Sequence, residues 1–322
     1  MLHEAIRKNL IKTAESGDIF SALILSGPEG IGKRTIAREF AAAIHCEAES
    51  GRPCGVCPSC VKHKTGNHPD YFELTAEPGK KNISVSAVRS ACENLFIKPL
   101  ISDRKILFIP EADLCEAPAQ NAMLKCFEEP PPYAVIILAV RDLSALLDTI
   151  KSRAAIIPIN PEPEESIRSF VKENYPDSAK NADFIAAFSC GIVKKAVLLS
   201  ENAELSEKRA HLLSLLSSFS KSRLAAIRAA DFLSENQDGE EFLYELISSY
   251  FRDAAALKCG GKKLINSDFS SQIRAFSSSH TKKQLVSALS LLAYAKNDKS
   301  KNANYGLFTE DLLLRLWEVL HD

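Results

Sequence analysis

The sequence has almost no net charge, no long apolar run and an odd number of cysteines. Each of these features excludes a class of protein. Lys and Arg together number 40 against 41 Asp and Glu in 322 residues, which gives a net charge of -1. A chain so nearly neutral has no global positive field that would draw it onto DNA or anionic lipid by itself. Any contact with nucleic acid is therefore expected to be local or shared with partner proteins.

No segment reaches the roughly 18 consecutive apolar residues that a membrane span needs. Residues 1–18 mix both charge signs and lack the apolar stretch of a secretory signal peptide. The nine cysteines are an odd number and cluster strongly, which argues against a secreted disulfide framework. The sequence therefore predicts a soluble protein of the cytoplasm with no membrane association.

Four apolar runs, at 22–25, 106–109, 134–140 and 154–159, alternate with segments of helical composition or spacing. Runs of this kind fit strands buried on both faces, and their alternation with helices predicts a mainly parallel α/β sheet. In such sheets, ligands bind at the carboxyl ends of the strands.

The strand signals stop after the Pro-containing segment at 160–163, and from Glu204 onward the pattern is wholly helical. The sequence therefore predicts three domains. They are an α/β core over 1–161, a small helical domain over 162–203 and an all-α domain over 204–322.

A Gly-rich motif of the form G-x-x-x-x-G-K follows the first predicted strand and precedes a helix. Its candidate phosphate-binding residues are Gly27, Gly30, Gly32 and Lys33. In such a P-loop the glycines let backbone N–H groups wrap phosphate oxygens, and the Lys neutralises their charge. The position between strand and helix favours a P-loop over a chance match.

The residues that would hold Mg²⁺ beside this loop are missing. Arg34 occupies the position of the metal-binding Ser or Thr, and Thr35 comes one residue late. Pro110 and Glu111 follow the strand at 106–109, where an acidic pair would be required. Because phosphoryl transfer relies on Mg²⁺, hydrolysis of ATP in cis is not expected, while weak binding of nucleotide stays open.

Four cysteines with the spacing C-x7-C-x2-C-x2-C form the candidate metal site: Cys46, Cys54, Cys57 and Cys60. Proline and glycine between them permit the tight turns that bring thiolates onto one ion. Four sulfur ligands leave no open position for water, so the expected cofactor is a structural Zn²⁺ held by a module at 46–60. Unliganded thiols are the alternative.

Taken together, these and further stretches resemble the delta-prime subunits of the bacterial DNA polymerase III clamp loader, a family of AAA+ proteins. The matching stretches are GPEGIGKRT, the four-cysteine module, His68-Pro69-Asp70, ISVSAVR, NAMLKCFEEPPP and LLDTIKSRA. The resemblance implies an AAA+ P-loop-type core with an inserted zinc module, a small helical lid and a C-terminal helical collar domain that joins a ring of subunits.

The resemblance also implies a function. In clamp loaders the Arg of a Ser-Arg-Cys motif reaches ATP bound by a neighbouring subunit, and here the motif reads Ser152-Arg153-Ala154. Arg153 is thus the candidate catalytic residue, acting in trans as an arginine finger in a non-hydrolysing subunit of the DNA polymerase III holoenzyme, a nucleotidyltransferase complex. The implied partners are the gamma/tau ATPase subunits, the delta subunit and, through the complex, the sliding clamp and primer-template DNA.

Two other functions remain open on the sequence alone. One is an ATP-hydrolysing gamma/tau-like subunit that uses Lys33 with a metal site improvised from Thr35, Glu111 or Asp113. The other is a free-standing zinc-stabilised DNA-binding protein, which the near-neutral charge disfavours.

Overall fold

The structure is a computed structural model that describes residues 2–236, 238, 240–298 and 305–321. The chain divides into two compact units. The first comprises Met1–Pro163 with Gly191–Lys194, and the second comprises Glu164–Cys190 with Lys195–Asp322. None of the described helices is long and apolar enough to cross a membrane.

The first unit is built on a five-stranded parallel sheet in the order β2-β3-β4-β1-β5. Its strands are β1 (Ala22–Ser26), β2 (Tyr71–Glu73), β3 (Lys105–Ile109), β4 (Ala134–Val140) and β5 (Ala155–Pro158). Its helices are α1 (Glu4–Ser16), α2 (Lys33–His45), α3 (Pro58–Thr65), α4 (Val85–Leu95), α5 (Ala117–Glu128) and α6 (Asp148–Lys151). The predicted parallel α/β sheet is confirmed.

Burial of apolar side chains on both faces explains the central strands. All seven residues of β4 are buried, and they alternate between two apolar clusters, one on each face of the sheet. Strand β1 lies between β4 and the edge strand β5, so it is covered by a neighbouring strand on each side. The edge strands are less covered, and Ile156 of β5 is exposed.

One helix begins later than the sequence pattern predicts. The pattern favours a helix from Leu114, but residues 112–114 form a 3₁₀ turn and α5 begins at Ala117. Pro118 explains the difference, because proline has a fixed φ and no N–H and therefore fits the first turn of a helix.

The second unit is helical in all its described regular elements apart from short 3₁₀ turns. Its helices, with α9 starting in the first unit, are α7 (Glu164–Asn174), α8 (Ala182–Ser189), α9 (Val193–Glu201), α10 (Ala203–Ser217), α11 (Arg223–Glu235), α12 (Glu240–Lys258), α13 (Ser270–Ser279), α14 (Lys282–Asp298) and α15 (Tyr305–His321). Side chains of Asn202 and Ser222 accept backbone N–H groups at the starts of α10 and α11.

This confirms the prediction of a helical C-terminal region. The division into 1–161, 162–203 and 204–322 stays a prediction, because the residues of 162–203 are shared between the two units. Of the predicted domains, residues 1, 237, 239, 299–304 and 322 lie outside the described residues.

Candidate functional site

The predicted Gly-rich loop joins the end of β1 to the start of α2. Gly30 and Gly32 have φ angles of 74° and 111°, a region that side chains with a Cβ rarely enter. A Cβ on Gly27 would lie 2.3 Å from the carbonyl oxygen of Ile159. The glycines are thus required by the loop itself, whether or not it binds a phosphate.

The amino group of Lys33 is turned back onto the loop. Its Nζ donates hydrogen bonds to the carbonyl oxygens of Gly27, at 2.5 Å, and Pro28, at 2.8 Å. The residue is buried, and this burial lowers the pKa of Lys33 against the opposing pull of the Asp113 and Glu29 carboxylates. An ammonium group has three N–H donors, so these two carbonyls leave one donor for a phosphate oxygen.

Two other segments of the first unit bind the carbonyl groups of the same loop. The backbone N–H of Lys194 donates to the Gly30 oxygen at 2.9 Å. The Nε2 of His3 lies 2.8 Å from the Ile31 oxygen, and its Nδ1 lies 3.0 Å from a carboxylate oxygen of Glu162. The loop is therefore held from the N-terminal segment and from residues 191–194.

The positions that would bind Mg²⁺ carry salt-bridged side chains. Arg34 donates through Nε to Glu73 at 3.1 Å, and Arg38 donates to the same carboxylate at 2.6 Å. Asp113 accepts from the Nε of Arg141 at 2.6 Å. In the part of the chain that the structure describes, neither of the two clusters of potential metal ligands lies at this loop.

Arg153 lies between α6 and the edge strand β5. Its Nη1 donates to the Thr149 carbonyl oxygen at 3.0 Å, and its Nη2 lies 3.1 Å from the Glu128 carboxylate. The side chain is 38% exposed and that of Glu128 is 50% exposed. The guanidinium is thus presented at the surface beside a sheet edge, and a bidentate anion could take the place of Glu128.

The four predicted zinc ligands converge. The Sγ atoms of Cys46, Cys54, Cys57 and Cys60 all lie within 4.8 Å of one another. Backbone N–H groups point at three of the sulfurs, with N to Sγ distances of 3.3 Å from Cys54 to Cys46, 3.4 Å from Cys57 to Cys54 and 3.4 Å from Cys60 to Cys57. The N–H groups of Val56 and Cys57 lower the pKa of the Cys54 thiol to about 6.

This arrangement fits a tetrahedral Zn²⁺. Zn–S bonds of about 2.3 Å in a tetrahedron place the sulfurs about 3.8 Å apart, and the Cys54 and Cys60 sulfurs are 4.0 Å apart. N–H groups aimed at the sulfurs favour the thiolate form that metal binding needs. All four ligands come from the connection between α2 and α3 and the first turn of α3, so the ion would fix this connection.

Three histidines form a second cluster beside the cysteines. The Nδ1 of His45 lies 2.8 Å from the Nε2 of His63, and the other ring nitrogen of His45 lies 3.0 Å from the Arg104 carbonyl oxygen. His68 stacks on His45 with ring centroids 4.2 Å apart. These contacts satisfy the nitrogens of His45 within the protein. One ring nitrogen of each histidine lies within 4.8 Å of the other two, which is close enough for a shared metal ion.

With this geometry established, comparisons with known proteins identify the family. A family model described as DNA polymerase III, delta subunit, matches residues 2–163, about half of the chain, and a model of the C-terminal part of that subunit matches residues 203–318. The chain belongs to the DNA polymerase III delta-subunit family. Within this family, the resemblance to delta-prime subunits seen in the sequence is confirmed by the names of its relatives.

The delta′ subunit of Bacillus subtilis is 27% identical over 98% of this chain and 97% of its own length. The delta′ subunit of Escherichia coli is 31% identical, over 49% of this chain and 48% of its own. A gamma subunit of Buchnera aphidicola is 33% identical over 58% of this chain and 52% of its own. A solved gamma subunit-related protein of Thermotoga maritima shares the fold, with a TM-score of 0.53 and 21% identity over 97% of this chain and 98% of that one.

The structure also shows polar contacts that sequence reasoning missed. His3 reaches the Gly-rich loop, Glu73 binds two arginines of α2, and Glu128 binds Arg153. No local motif marks these residues, since each partner lies far away along the chain.

The histidine cluster makes stability depend on pH. Burial lowers the pKa of His45 from 6.5 to about 3 and that of His63 to about 4, so the folded state resists protonation that the unfolded chain accepts. The free energy of unfolding should therefore be retained above about pH 6.5 and fall progressively between pH 6.5 and about 3. Urea titrations followed by circular dichroism across this range measure it.

A histidine variant isolates this effect from loss of metal. His63→Gln should reduce the slope of unfolding free energy against pH. His211→Gln, at an exposed position of α10, should have the same slope as the wild type. Equal slopes for His63→Gln and the wild type would show that the cluster does not control the acid sensitivity.

Proposed function

We propose that this chain is a non-hydrolysing, delta-prime-like subunit of a DNA polymerase III clamp loader. It completes the ring of subunits and donates Arg153 in trans to ATP on a neighbouring ATPase subunit, so that the complex loads the sliding clamp on primed DNA. The observation that carries the proposal is the exposed guanidinium of Arg153 beside edge strand β5, in a chain whose own Lys33 is bound by loop carbonyls.

The chemistry of Arg153 suits this role. A guanidinium has a planar fork of donors that matches phosphate oxygens and stays charged at all physiological pH values. Charge that develops on a transferred phosphoryl group is stabilised by such a fork. In this chain Glu128 and the Thr149 carbonyl hold the fork at the surface, and exchange of an exposed carboxylate for a phosphate costs little.

The proposed partners follow from the family. They are the gamma/tau ATPase subunits and the delta subunit, with the sliding clamp and primer-template DNA reached through the assembled complex in the cytoplasm. The proposed cofactor is one structural Zn²⁺ on Cys46, Cys54, Cys57 and Cys60, whose bonds would tie α2 to α3. The helical lid at 162–203 and the collar at 204–322 belong to the same proposal.

A second candidate function is an ATP-hydrolysing gamma/tau-like subunit. It is favoured by the full set of loop glycines with Lys33 and by the 33% identity to the Buchnera gamma subunit. Two salt bridges count against it. Arg34, at the position of the Ser or Thr that would bind Mg²⁺, pairs with Glu73, and Asp113, a possible substitute ligand, pairs with Arg141. ATP hydrolysis by the purified chain would support this function if the Lys33→Ala substitution abolished it.

Assembly tests the proposed function. The purified chain is mixed with gamma/tau and delta subunits and the products are sized by chromatography with light scattering. We expect one copy of the chain in each complex and clamp loading on primed DNA that depends on its presence. A chain that stays outside the complex, or a complex that loads clamps equally well without it, would contradict the proposal.

A further inference from the structure

The histidine cluster beside the four cysteines has the composition of a second metal site. His45 ends α2, His63 lies in the last turn of α3 and His68 precedes β2, so three separate segments supply the rings. The three rings are near enough for one nitrogen of each to reach a common ion. Imidazole is the commonest metal ligand in proteins, and three imidazoles with an open fourth position are a ligand set of zinc.

The spacing of the rings fits coordination of one ion. With metal–nitrogen bonds of about 2.1 Å, the centre of a ring lies about 3.2 Å from the ion, so two ring centres are about 4.5 Å apart at a right angle and about 5.2 Å apart at the tetrahedral angle. The ring centroids are 5.0 Å apart for His45 and His63, and His68 lies 4.2 Å from His45 and 4.5 Å from His63. The pairs therefore need to open by at most about 1 Å to hold a tetrahedral ion.

A hydrogen bond fixes the tautomer of His45. Its Nε2 lies 3.0 Å from the Arg104 carbonyl oxygen, which can only accept, so Nε2 carries the proton. The Nδ1 of His45 therefore presents a lone pair, and the Nε2 of His63 lies 2.8 Å from it. Metal-binding histidines are commonly oriented by such a bond from the other ring nitrogen to a carbonyl group. A metal ion would take the place of the proton that His63 donates to His45.

His68 brings the third nitrogen, and a carboxylate follows it. The Nε2 of His68 lies 3.3 Å from the Ser102 hydroxyl, and its Nδ1 accepts the Asp70 N–H at 3.2 Å. Both distances are long for hydrogen bonds, so a metal–nitrogen bond can replace one of them. The buried Asp70 carboxylate acts electrostatically on His45 and His68, and its negative charge favours a cation at the cluster.

The cluster is open to solvent on the side of His63. This ring is half-buried, whereas His45 and His68 are buried. His63 lines a surface cavity of about 710 Å³, whose wall also includes Tyr71 and Glu73. An ion can enter through this cavity and take a water molecule as its fourth ligand.

We propose that His45, His63 and His68 form a second metal site, which binds one divalent transition-metal ion such as Zn²⁺ and is separate from the four-cysteine site. The cysteines tie α2 to α3, and the histidines would add the segment before β2 and so link the module at 46–60 to the sheet. Three neutral imidazoles attract a dication less strongly than four thiolates, so desalting should empty this site while the cysteines keep their ion. The proposal does not depend on the role of Arg153.

Titration of the full chain with Co²⁺ tests the proposal. The chain is first saturated with Zn²⁺ and desalted, so that the cysteines hold zinc, which binds more tightly than cobalt. Calorimetry should then show that about one equivalent of Co²⁺ binds, with the visible absorption of nitrogen-bound cobalt and without the near-ultraviolet band of cobalt thiolate. His63→Gln should weaken this binding at least about 100-fold and keep the cysteine-bound zinc. His211→Gln, at an exposed position, should bind Co²⁺ as the wild type does.

Three results would overturn the proposal. They are no binding of Co²⁺ by the zinc-loaded chain, binding that His63→Gln leaves unchanged, and a cobalt thiolate band, which would place the ion at the cysteines. A melting temperature that rises with Co²⁺ in the wild type and in His211→Gln, but not in His63→Gln, would support it. Should His63→Gln lack the native far-ultraviolet circular dichroism, His68→Gln carries the same expectations.

Discussion

Replacing Arg153 by Ala is expected to lower ATP hydrolysis by the reconstituted clamp loader while the complex still assembles. Where arginine fingers have been dissected, they contribute about 10³ to 10⁵ in turnover at the site they serve. Only the ATPase site next to this chain should lose that factor, so steady-state hydrolysis by the whole complex falls by the share of one site. DNA-stimulated phosphate release from the complex measures the effect.

Two matched variants sharpen this result. Arg153→Lys keeps the charge but loses the planar fork, so it should behave nearly as Arg153→Ala. Arg89→Ala removes an exposed Arg of α4 and should leave hydrolysis unchanged. The ion pair of Arg153 with Glu128 is exposed and worth about 0–1 kcal/mol, so the melting temperature should hardly move. Undiminished hydrolysis by an intact Arg153→Ala complex would remove the arginine finger from the account.

Replacing Cys57 by Ser is expected to abolish zinc binding and loosen the connection between α2 and α3 without unfolding the sheet. Cys57 is also the N-cap of α3 and its sulfur accepts the Cys60 N–H, a function that Ser performs at least as well. The substitution therefore removes a metal ligand with little other damage. Elemental analysis should fall from about one zinc per chain to none, and proteases should cut within 46–60.

The core should survive this change because the two apolar clusters on the sheet do not depend on the module. Far-ultraviolet circular dichroism should keep its native amplitude. Cys259→Ser, at an exposed position outside the cluster, should retain the zinc. A wild-type protein purified without metal, or zinc retained in Cys57→Ser, would rule out the four-cysteine zinc site.

The regular elements and the local motifs could be read from the sequence because their signals are local. The apolar run 134–140 forms β4 with the predicted bounds. The start of α5 could be missed because its apolar spacing continues upstream of Pro118. The Gly-rich loop and the four cysteines depend on short spacings, so the structure brings each of these sets together.

The contacts that decide the chemistry could not be predicted in this way. Arg34 pairs with Glu73 across 39 positions, and Arg141 with Asp113 across 28. Each polar residue has many candidate partners along the chain, and only the folded sheet selects one. That Lys33 donates two hydrogen bonds to its own loop likewise depends on backbone geometry that the motif letters do not carry.

The most direct test of the account is ATP hydrolysis by the purified chain, with and without Mg²⁺, beside the same assay after the gamma/tau and delta subunits are added. The account predicts no turnover by the chain alone and, in the mixture, hydrolysis above that of the partners without it, which Arg153→Ala reduces. Mg²⁺-dependent turnover by the chain alone, abolished by Lys33→Ala, would contradict the account and identify the chain as an ATPase.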